Sequence, residues 1–135
     1  MKRKSDISDR VIHFILSREI DEFETLNVNS ISREFKINRS YLSQKFKLDK
    51  RYSLSDYILF VKILRAITLL ERTDDMTVEE ISEKMGFSGA NYFNRIFKKK
   101  LGTTPGRYKN LFRKLKTSKM LAKKSSRKIG ENKQS

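Results

Sequence analysis

Cysteine is absent from this 135-residue chain, and histidine occurs once, as His13. Without thiols the chain forms no disulfide and performs no thiol catalysis, and any zinc site would lack thiolate ligands. One histidine cannot supply a multi-histidine metal site or a pair of imidazoles. We therefore expect no metal and no other cofactor, and the lack of cysteine suits a reducing cytoplasm.

Proline, glycine and long apolar runs are also scarce. The only proline is Pro105, there are five glycines, and no Asn-Gly or Asp-Gly pair signals a strand hairpin. No apolar run approaches the roughly 20 residues of a membrane-spanning helix, and no apolar segment of signal-peptide type follows the basic start. Apolar residues instead recur at helical spacing, as in Tyr57, Ile58, Val61, Leu64 and Leu69. The patterns predict an all-α, cytoplasmic chain of about seven helices.

Adjacent carboxylates occur at Asp74-Asp75 and at Glu79-Glu80, and paired carboxylates can be catalytic. Both pairs border a loop and a predicted helix start. Exposure to solvent and interaction with the helix dipole account for them there. We therefore predict that the chain is not an enzyme.

Positive charge dominates the composition, with 31 lysines and arginines against 16 acids and a formal net charge of +15. Residues 112–135 hold nine of these cations and one acid, a net charge of +8, and the other 111 residues carry +7. A chain this basic is expected to bind a polyanion: DNA, RNA or an anionic membrane face. From Thr117 onward the chain lacks aromatics and has few large apolar residues. We predict a disordered tail there, which adds solubility or non-specific attraction to phosphate.

Capping residues mark two helix starts. Ser53, followed three residues later by Asp56, predicts a long helix over residues 54 to about 72. Thr77 with Glu80 forms a capping box for the next helix. At about 1.5 Å per residue, the 19 residues of the long helix extend about 28 Å.

One stretch of the sequence occurs twice, since residues 27–46 align with residues 77–97. The aligned pairs are Asn27 with Thr77, Val28 with Val78, Ile31 with Ile81, Ser32 with Ser82 and, after one extra residue in the second copy, Leu42 with Phe93, Phe46 with Phe97 and Lys47 with Lys98. Each copy reads as a short helix, a tight turn and a second helix. This is the pattern of a helix-turn-helix, whose second helix enters the DNA major groove. In the second copy the turn contains Gly86, which can take the left-handed conformation that reverses the chain.

The second copy and the residues after it resemble the C-terminal signature of AraC/XylS-type transcription regulators. The matching residues are Gly86-Phe87, Tyr92-Phe93, Phe97-Lys98, Gly102-Thr103-Thr104-Pro105 and Tyr108, with Tyr57, Ala66 and Leu69-Leu70 upstream. The resemblance covers about residues 7–113. It implies two helix-turn-helix subdomains on a linker helix, which bind two adjacent major-groove segments. We place the subdomains at residues 1–52 and 74–112, the linker helix at 53–73 and the basic tail at 113–135.

Three residues depart from the family pattern. Lys36 stands where the turn glycine usually lies, Arg51 stands where glycine is common before the linker helix, and Lys62 replaces the usual linker arginine. A lysine at positive φ costs roughly 1 kcal/mol, which is less than a folded domain can absorb. The fold is therefore still expected.

The faces of the two predicted recognition helices separate core residues from candidate DNA contacts. Leu42 and Phe46 face the core in the first helix, as Phe93, Ile96 and Phe97 do in the second. The other face, where the resemblance also places base-reading side chains, predicts base contacts from Ser40, Ser43, Gln44, Ala90, Asn91, Asn94 and Arg95. Phosphate contacts are predicted from Arg39, Lys47, Lys98, Lys99 and Lys100.

The chemistry of these side chains suits the major groove. Arg95 can donate two hydrogen bonds to guanine, Gln44, Asn91 and Asn94 can read adenine, and Ala90 can touch a thymine methyl. Ser40, Ser43 and Lys47 are equally compatible with phosphate contacts. Any one of these residues can also be an ordinary solvated helix residue.

These observations predict a sequence-specific regulator of transcription in which one monomer binds double-stranded DNA at a promoter or operator. RNA polymerase is a further candidate partner. The alternative is an RNA-binding or nucleoid-type protein that acts through its charge with little specificity. We expect no membrane partner, because the apolar stripe in residues 112–124 is thin. No strands of an effector barrel occur, so we expect either a short stand-alone regulator, which the initial Met1 weakly favours, or part of a longer one.

Overall fold

The structure is a computed structural model that describes residues 6–73 and 75–133, with side chains described as far as residue 123. The described chain is all-helical, as predicted, with seven α-helices and one short 3-10 turn. The elements are α1 (Ile7–Leu16), the 3-10 turn (Ile20–Glu22), α2 (Val28–Phe35), α3 (Arg39–Lys50), α4 (Leu54–Arg72), α5 (Val78–Lys84), α6 (Ala90–Leu101) and α7 (Pro105–Lys133).

The repeated sequence forms two helix-turn-helix units, α2–α3 and α5–α6. Asn27 caps α2 by accepting a hydrogen bond of 2.8 Å from the Ser30 amide, and Thr77 caps α5 by accepting one of 3.1 Å from the Glu80 amide. Three of the aligned apolar pairs have no exposed surface, namely Ile31 with Ile81, Leu42 with Phe93 and Phe46 with Phe97, whereas Val28 is 6% exposed and Val78 is half-buried. The sequence repeat is therefore a repeat of structure and of core packing.

Each unit uses a left-handed residue in its turn and another at the end of its second helix. Lys36 (φ 54°) and Gly86 (φ 76°) occupy the turns, and Arg51 (φ 68°) and Gly102 (φ 77°) end α3 and α6. In both turns the next amide donates to the carbonyl five residues earlier, at 3.0 Å. The two departures from glycine in the first half thus keep the backbone that glycine has in the second.

The repeat extends beyond the aligned sequence into the helices that follow the recognition helices. Ser53 and Thr104 each accept a hydrogen bond from the amide three residues later, at 3.1 and 3.3 Å. Four residues after each of them, a tyrosine packs on the buried phenylalanine of the preceding helix. The ring centroids are 5.9 Å apart for Tyr57 and Phe46, and 6.0 Å apart for Tyr108 and Phe97. The start of α7 is therefore the second copy of the start of α4.

The linker helix α4 lies against both units and has the predicted bounds. It contacts α1 and α3 on one side and α5 and α7 on the other. Its buried residues are Leu54, Ile58, Val61, Lys62, Ile63, Ala66, Leu69 and Leu70. Leu64, which the apolar spacing placed in the buried stripe, is instead 42% exposed. At the far end, the Tyr108 hydroxyl donates to Glu71 of α4, and burial together with this bond raises the pKa of Tyr108 to about 12.

A polar network joins α1 to the first recognition helix. The buried Ser8 hydroxyl donates to Asp49 of α3 at 2.6 Å, and Lys45 Nζ lies 3.1 Å from the same carboxylate and 3.7 Å from that of Asp6. The hydrogen bond from Ser8 is the largest cause that lowers the pKa of Asp49 to about 2. The position of α3 is thus fixed from the side opposite its outer face.

The tail differs from the expectation of disorder, because α7 continues as a helix to Lys133. Its side chains from 113 to 123 are all exposed. No glycine or proline interrupts the segment between Gly106 and Gly130, and lysine, leucine and alanine are good helix formers. A segment with few apolar residues, and none spaced to face a core, is not expected to be buried, but it can still form a helix.

The paired carboxylates lie where the sequence analysis placed them, as far as they are described. Asp74 lies outside the described residues, Asp75 is exposed in the loop, and Glu79 and Glu80 are exposed in the first turn of α5. His13 is exposed on α1. Among the described side chains, no three His, Cys, Asp or Glu residues are grouped so that they could hold a metal ion.

Candidate nucleic-acid interface

The first recognition helix presents polar side chains on the face opposite Leu42 and Phe46. Asn38 begins α3, and its side-chain oxygen accepts a hydrogen bond of 3.1 Å from the Tyr41 amide. Ser43 is half-buried, and the other predicted contacts of this helix are exposed: Arg39, Ser40, Gln44 and Lys47. The structure therefore brings the predicted residues together on one face of α3.

The second recognition helix has the same arrangement. Phe93 and Phe97 are fully buried, and Ile96 is half-buried on the same side. Ala90 and Asn94 are half-buried at the edge of the outer face, and the remaining predicted contacts are exposed: Asn91, Arg95, Lys98, Lys99 and Lys100. Two faces of similar chemistry thus occur on equivalent helices of the two units.

Ion pairing distinguishes the cations on the outer face of α3 from those on its inner side. Lys45 and Lys50 pair with acids of α1 or just before it, namely Asp6 and Asp9, and Lys45 also pairs with Asp49 of its own helix. The predicted phosphate-binding cations of α3 and α6 form no ion pair with any described residue. Their charge is therefore available to an external anion such as DNA phosphate.

Arg95 is the predicted DNA-contacting cation that lies over an aromatic ring. Its guanidinium carbon lies 5.8 Å from the ring centroid of Tyr92, one helical turn earlier. Tyr92 is in turn packed on Phe87, with 5.9 Å between the ring centroids. A cation held over an aromatic ring loses less conformational freedom on binding, which suits a side chain that reads a base.

Tyr41 is an outward-facing residue that the sequence analysis missed. It had no predicted role, yet 56% of its surface is exposed, and it is next to Ser40 in the sequence. The aligned residue in the second unit is Tyr92, which is half-buried. Spacing alone did not indicate the exposure of Tyr41, because it depends on which helices pack nearby.

Comparison with known proteins places this arrangement in a family. Residues 31–111 match the family model described as a helix-turn-helix domain. The chain is 38% identical over 105 residues, 77% of its length, to YtdP of Bacillus subtilis, described as an uncharacterized HTH-type transcriptional regulator. It is also similar to the C-terminal domain of the two-component response regulator yesN from Fusobacterium nucleatum, with 28% identity, 78% of this chain and 99% of that one covered, and a TM-score of 0.65.

A third similarity concerns the fold alone. The DNA-binding domain of AdpA, a global transcriptional factor solved in complex with a target DNA, is 21% identical, with 81% of this chain and 95% of that one covered and a TM-score of 0.66.

The chain belongs to the AraC/XylS family of helix-turn-helix transcription regulators.

The chain matches only part of the length of its AraC/XylS relatives. The chain spans 13% of the length of YtdP and 30% of the length of two other curated relatives, from Bacillus subtilis and Streptococcus mutans. AraC/XylS regulators are a non-enzymatic class, which agrees with the prediction that the chain is not an enzyme. None of the helices in the described part of the chain is long and apolar enough to cross a membrane.

Proposed function

We propose that this AraC/XylS-type chain is a sequence-specific, double-stranded DNA-binding transcription regulator that inserts α3 and α6 into adjacent major-groove segments. The observation that carries the proposal is the pair of equivalent outer faces, each polar, exposed and supplied with unpaired cations. The 19 residues of α4 extend about 28 Å at about 1.5 Å each, and successive major-groove segments on one side of B-DNA are roughly 34 Å apart. With the radii of the two units added, one monomer reaches both segments.

The roles of the side chains follow from their chemistry and their place on the two faces. Exposed or edge positions with short polar or bidentate groups are proposed to contact bases: Ser40, Ser43, Gln44, Ala90, Asn91, Asn94 and Arg95. The unpaired cations are proposed to contact phosphates: Arg39, Lys47, Lys98, Lys99 and Lys100. Base contacts would then supply sequence specificity in both half-sites, and phosphate contacts would fix the position and orientation of the protein on the duplex.

The proposal also covers the DNA target, the protein partner, the cellular location and the division into subdomains. We infer a promoter or operator as the target, RNA polymerase as a protein partner, and the cytoplasm as the place of action. We also infer that residues 1–52 and 74–112 act as the two DNA-binding subdomains, with residues 53–73 between them. The bound state of the AdpA domain, which has the same fold, supports a DNA-binding surface of this kind.

Selection of bound sites from random duplex DNA tests the proposal. We expect an asymmetric consensus with two half-sites about one helical turn apart, protected by one chain in a footprint. The selected duplex should bind at least about a thousandfold more tightly than a scrambled duplex at physiological salt. A footprint limited to half a turn would contradict the insertion of both helices.

The exposed basic surface of α7 favours a second candidate function, low-specificity binding of RNA or nucleoid DNA. Binding through charge alone weakens steeply with salt and does not distinguish sequences. Titrations of the selected and the scrambled duplex at several salt concentrations separate the two functions. Equal affinities that fall together with salt would favour this second candidate.

A further inference from the structure

The turn of the second helix-turn-helix unit is packed directly against the segment that leads into the first unit, before α2. A Cβ atom at Gly86 would overlap the backbone carbonyl oxygen of Glu24, which lies in the loop between the 3-10 turn and α2, and would lie 3.0 Å from Lys62 Nζ of α4. The left-handed backbone at φ 76° does not require such closeness, since Gly102 at φ 77° has no atom within 4 Å of the same position. The close approach at Gly86 is therefore a feature of the contact between the units.

Two charged residues extend this contact. The Nζ atom of Lys84, at the end of α5, lies 2.7 Å from the carboxylate of Asp21, in the 3-10 turn that precedes the first unit. Lys62 is 92% buried, and the burial lowers its pKa. We call these five residues, Asp21, Glu24, Lys62, Lys84 and Gly86, the seam.

The first-unit side of the seam is itself held in place. Arg65 of α4 donates to the Leu16 carbonyl at 2.9 Å, and its guanidinium carbon lies 5.6 Å from the ring centroid of Phe23. Phe23 has no exposed surface and Leu26 almost none. The segment that receives Gly86 and Lys84 is thus fixed to the linker helix.

The seam matters because α4 alone would not fix the angle between the units. The segment between α4 and α5 is a loop, and rotation about it would turn α6 relative to α3. On B-DNA one added base pair moves a half-site by about 3.4 Å and rotates it by about 34°, since a turn of about 10.5 base pairs covers about 36 Å. A contact between the units that admits no extra atom resists this rotation.

We propose that the seam is a specificity-determining contact that sets the spacing between the two half-sites. The inference rests on the proposed function, because it assumes that both recognition helices enter one duplex. The residues of the seam are positioning residues: they choose which spacing is bound and are not themselves placed on the DNA-facing surfaces of α3 and α6.

The glycines provide a matched pair of variants. Gly86→Ala and Gly102→Ala both place alanine at a left-handed position, but only Gly86→Ala displaces the Glu24 carbonyl. Each variant is titrated with the selected duplex and with duplexes that carry one base pair more or fewer between the half-sites. For the wild type and Gly102→Ala we expect a loss of about tenfold at the altered spacings, within the usual range of coupling between sites. For Gly86→Ala we expect this ratio to fall to about threefold or less, or the optimum to shift.

Charge variants decide the question if Gly86→Ala does not fold. Asp21→Lys places two cations together at the seam, and adding Lys84→Asp restores an ion pair of opposite direction. We expect the first change to weaken the spacing preference and the second to recover it, at equal affinity for each isolated half-site. Spacing profiles identical to the wild type in all these variants would overturn the inference. A wild-type chain that binds no two-half-site duplex would instead overturn the proposed function.

Discussion

The two helix-turn-helix units have left-handed backbone at equivalent positions but place different residues there. Both need a left-handed residue in the turn and another after the recognition helix. The second unit meets this need with Gly86 and Gly102, whereas the first uses Lys36 and Arg51. Since an L side chain in this conformation costs roughly 1–2 kcal/mol, the first unit carries a conformational strain that the second does not.

The supports of the two units differ as well. The first recognition helix is held by α1, through the buried Ser8 and its bond to Asp49, and α1 also brings Phe14 to Phe35 at 5.5 Å between ring centroids. The second is held by α7, whose Tyr108 packs on Phe97 and bonds to α4. In the first unit, α1 thus contacts residues next to both strained positions, since Phe35 directly precedes Lys36 and Asp49 lies two residues before Arg51.

Removing the central phenylalanine of each unit tests whether the two cores are equivalent. Phe46 and Phe97 occupy aligned positions and are both fully buried. We expect Phe46→Ala and Phe97→Ala each to lower the free energy of unfolding by about 3–5 kcal/mol, because each leaves a cavity. Urea denaturation followed by circular dichroism measures the loss. A cost under about 1 kcal/mol for either variant would show that its unit is not part of one cooperative core.

The next largest effects concern the two recognition faces. Arg95→Ala should cost about 1–3 kcal/mol of binding and relax preference at one position of the second half-site, and Gln44→Ala should do the same in the first. Lys98→Ala is the control, because loss of a phosphate contact weakens all sequences alike and lowers the salt slope by about 1. Competition binding with a set of single-base operator variants separates the outcomes. If Arg95→Ala weakened all duplexes uniformly, Arg95 would be a phosphate contact.

Much of the fold could be predicted because its signals are local and repeated. The caps at Ser53 and Thr77 define the starts of α4 and α5, and apolar residues three and four apart define the buried faces. The extension of the repeat to Tyr108 is not evident from the sequence, because α7 opens with Pro105 and soon departs from α4 in composition. The exposure of Tyr41 and Leu64 could not be read from spacing, since it depends on which helices pack nearby. The contact of Gly86 with Glu24 depends on tertiary structure and leaves no trace in local sequence.

Glycine in place of Lys36 or Arg51 should remove the backbone strain of the first unit, as Gly86 and Gly102 avoid it in the second. We expect Lys36→Gly and Arg51→Gly each to stabilise the chain by up to about 1 kcal/mol, because relief of the left-handed strain exceeds the added entropy of the unfolded chain. Lys47→Gly, within α3, is the control and should destabilise by about 1 kcal/mol. Urea midpoints at unchanged m-value measure all three. If Lys36→Gly destabilised as much as Lys47→Gly, the left-handed lysine would carry no strain.

The smallest effect that we predict concerns the polar contact between α1 and α3, which has no counterpart among the described contacts of the second unit. In the folded chain the Ser8 hydrogen bond, followed by the contacts with Asp6 and then Lys45, lowers the pKa of Asp49 from 3.8 to about 2. The ionised carboxylate therefore stabilises the fold fully above about pH 4, and this contribution is lost as the pH falls through 2. Asp49→Asn should lower the free energy of unfolding at pH 6 and much less at pH 2, where Asp49 of the folded chain is only half ionised and most of its contribution is lost. Asp75→Asn, in an exposed loop, is the control and should have the same stability as the wild type at both pH values. A deficit of Asp49→Asn that persists undiminished at pH 2 would mean that the amide disturbs packing and that the charge of Asp49 is not what holds α1 to α3.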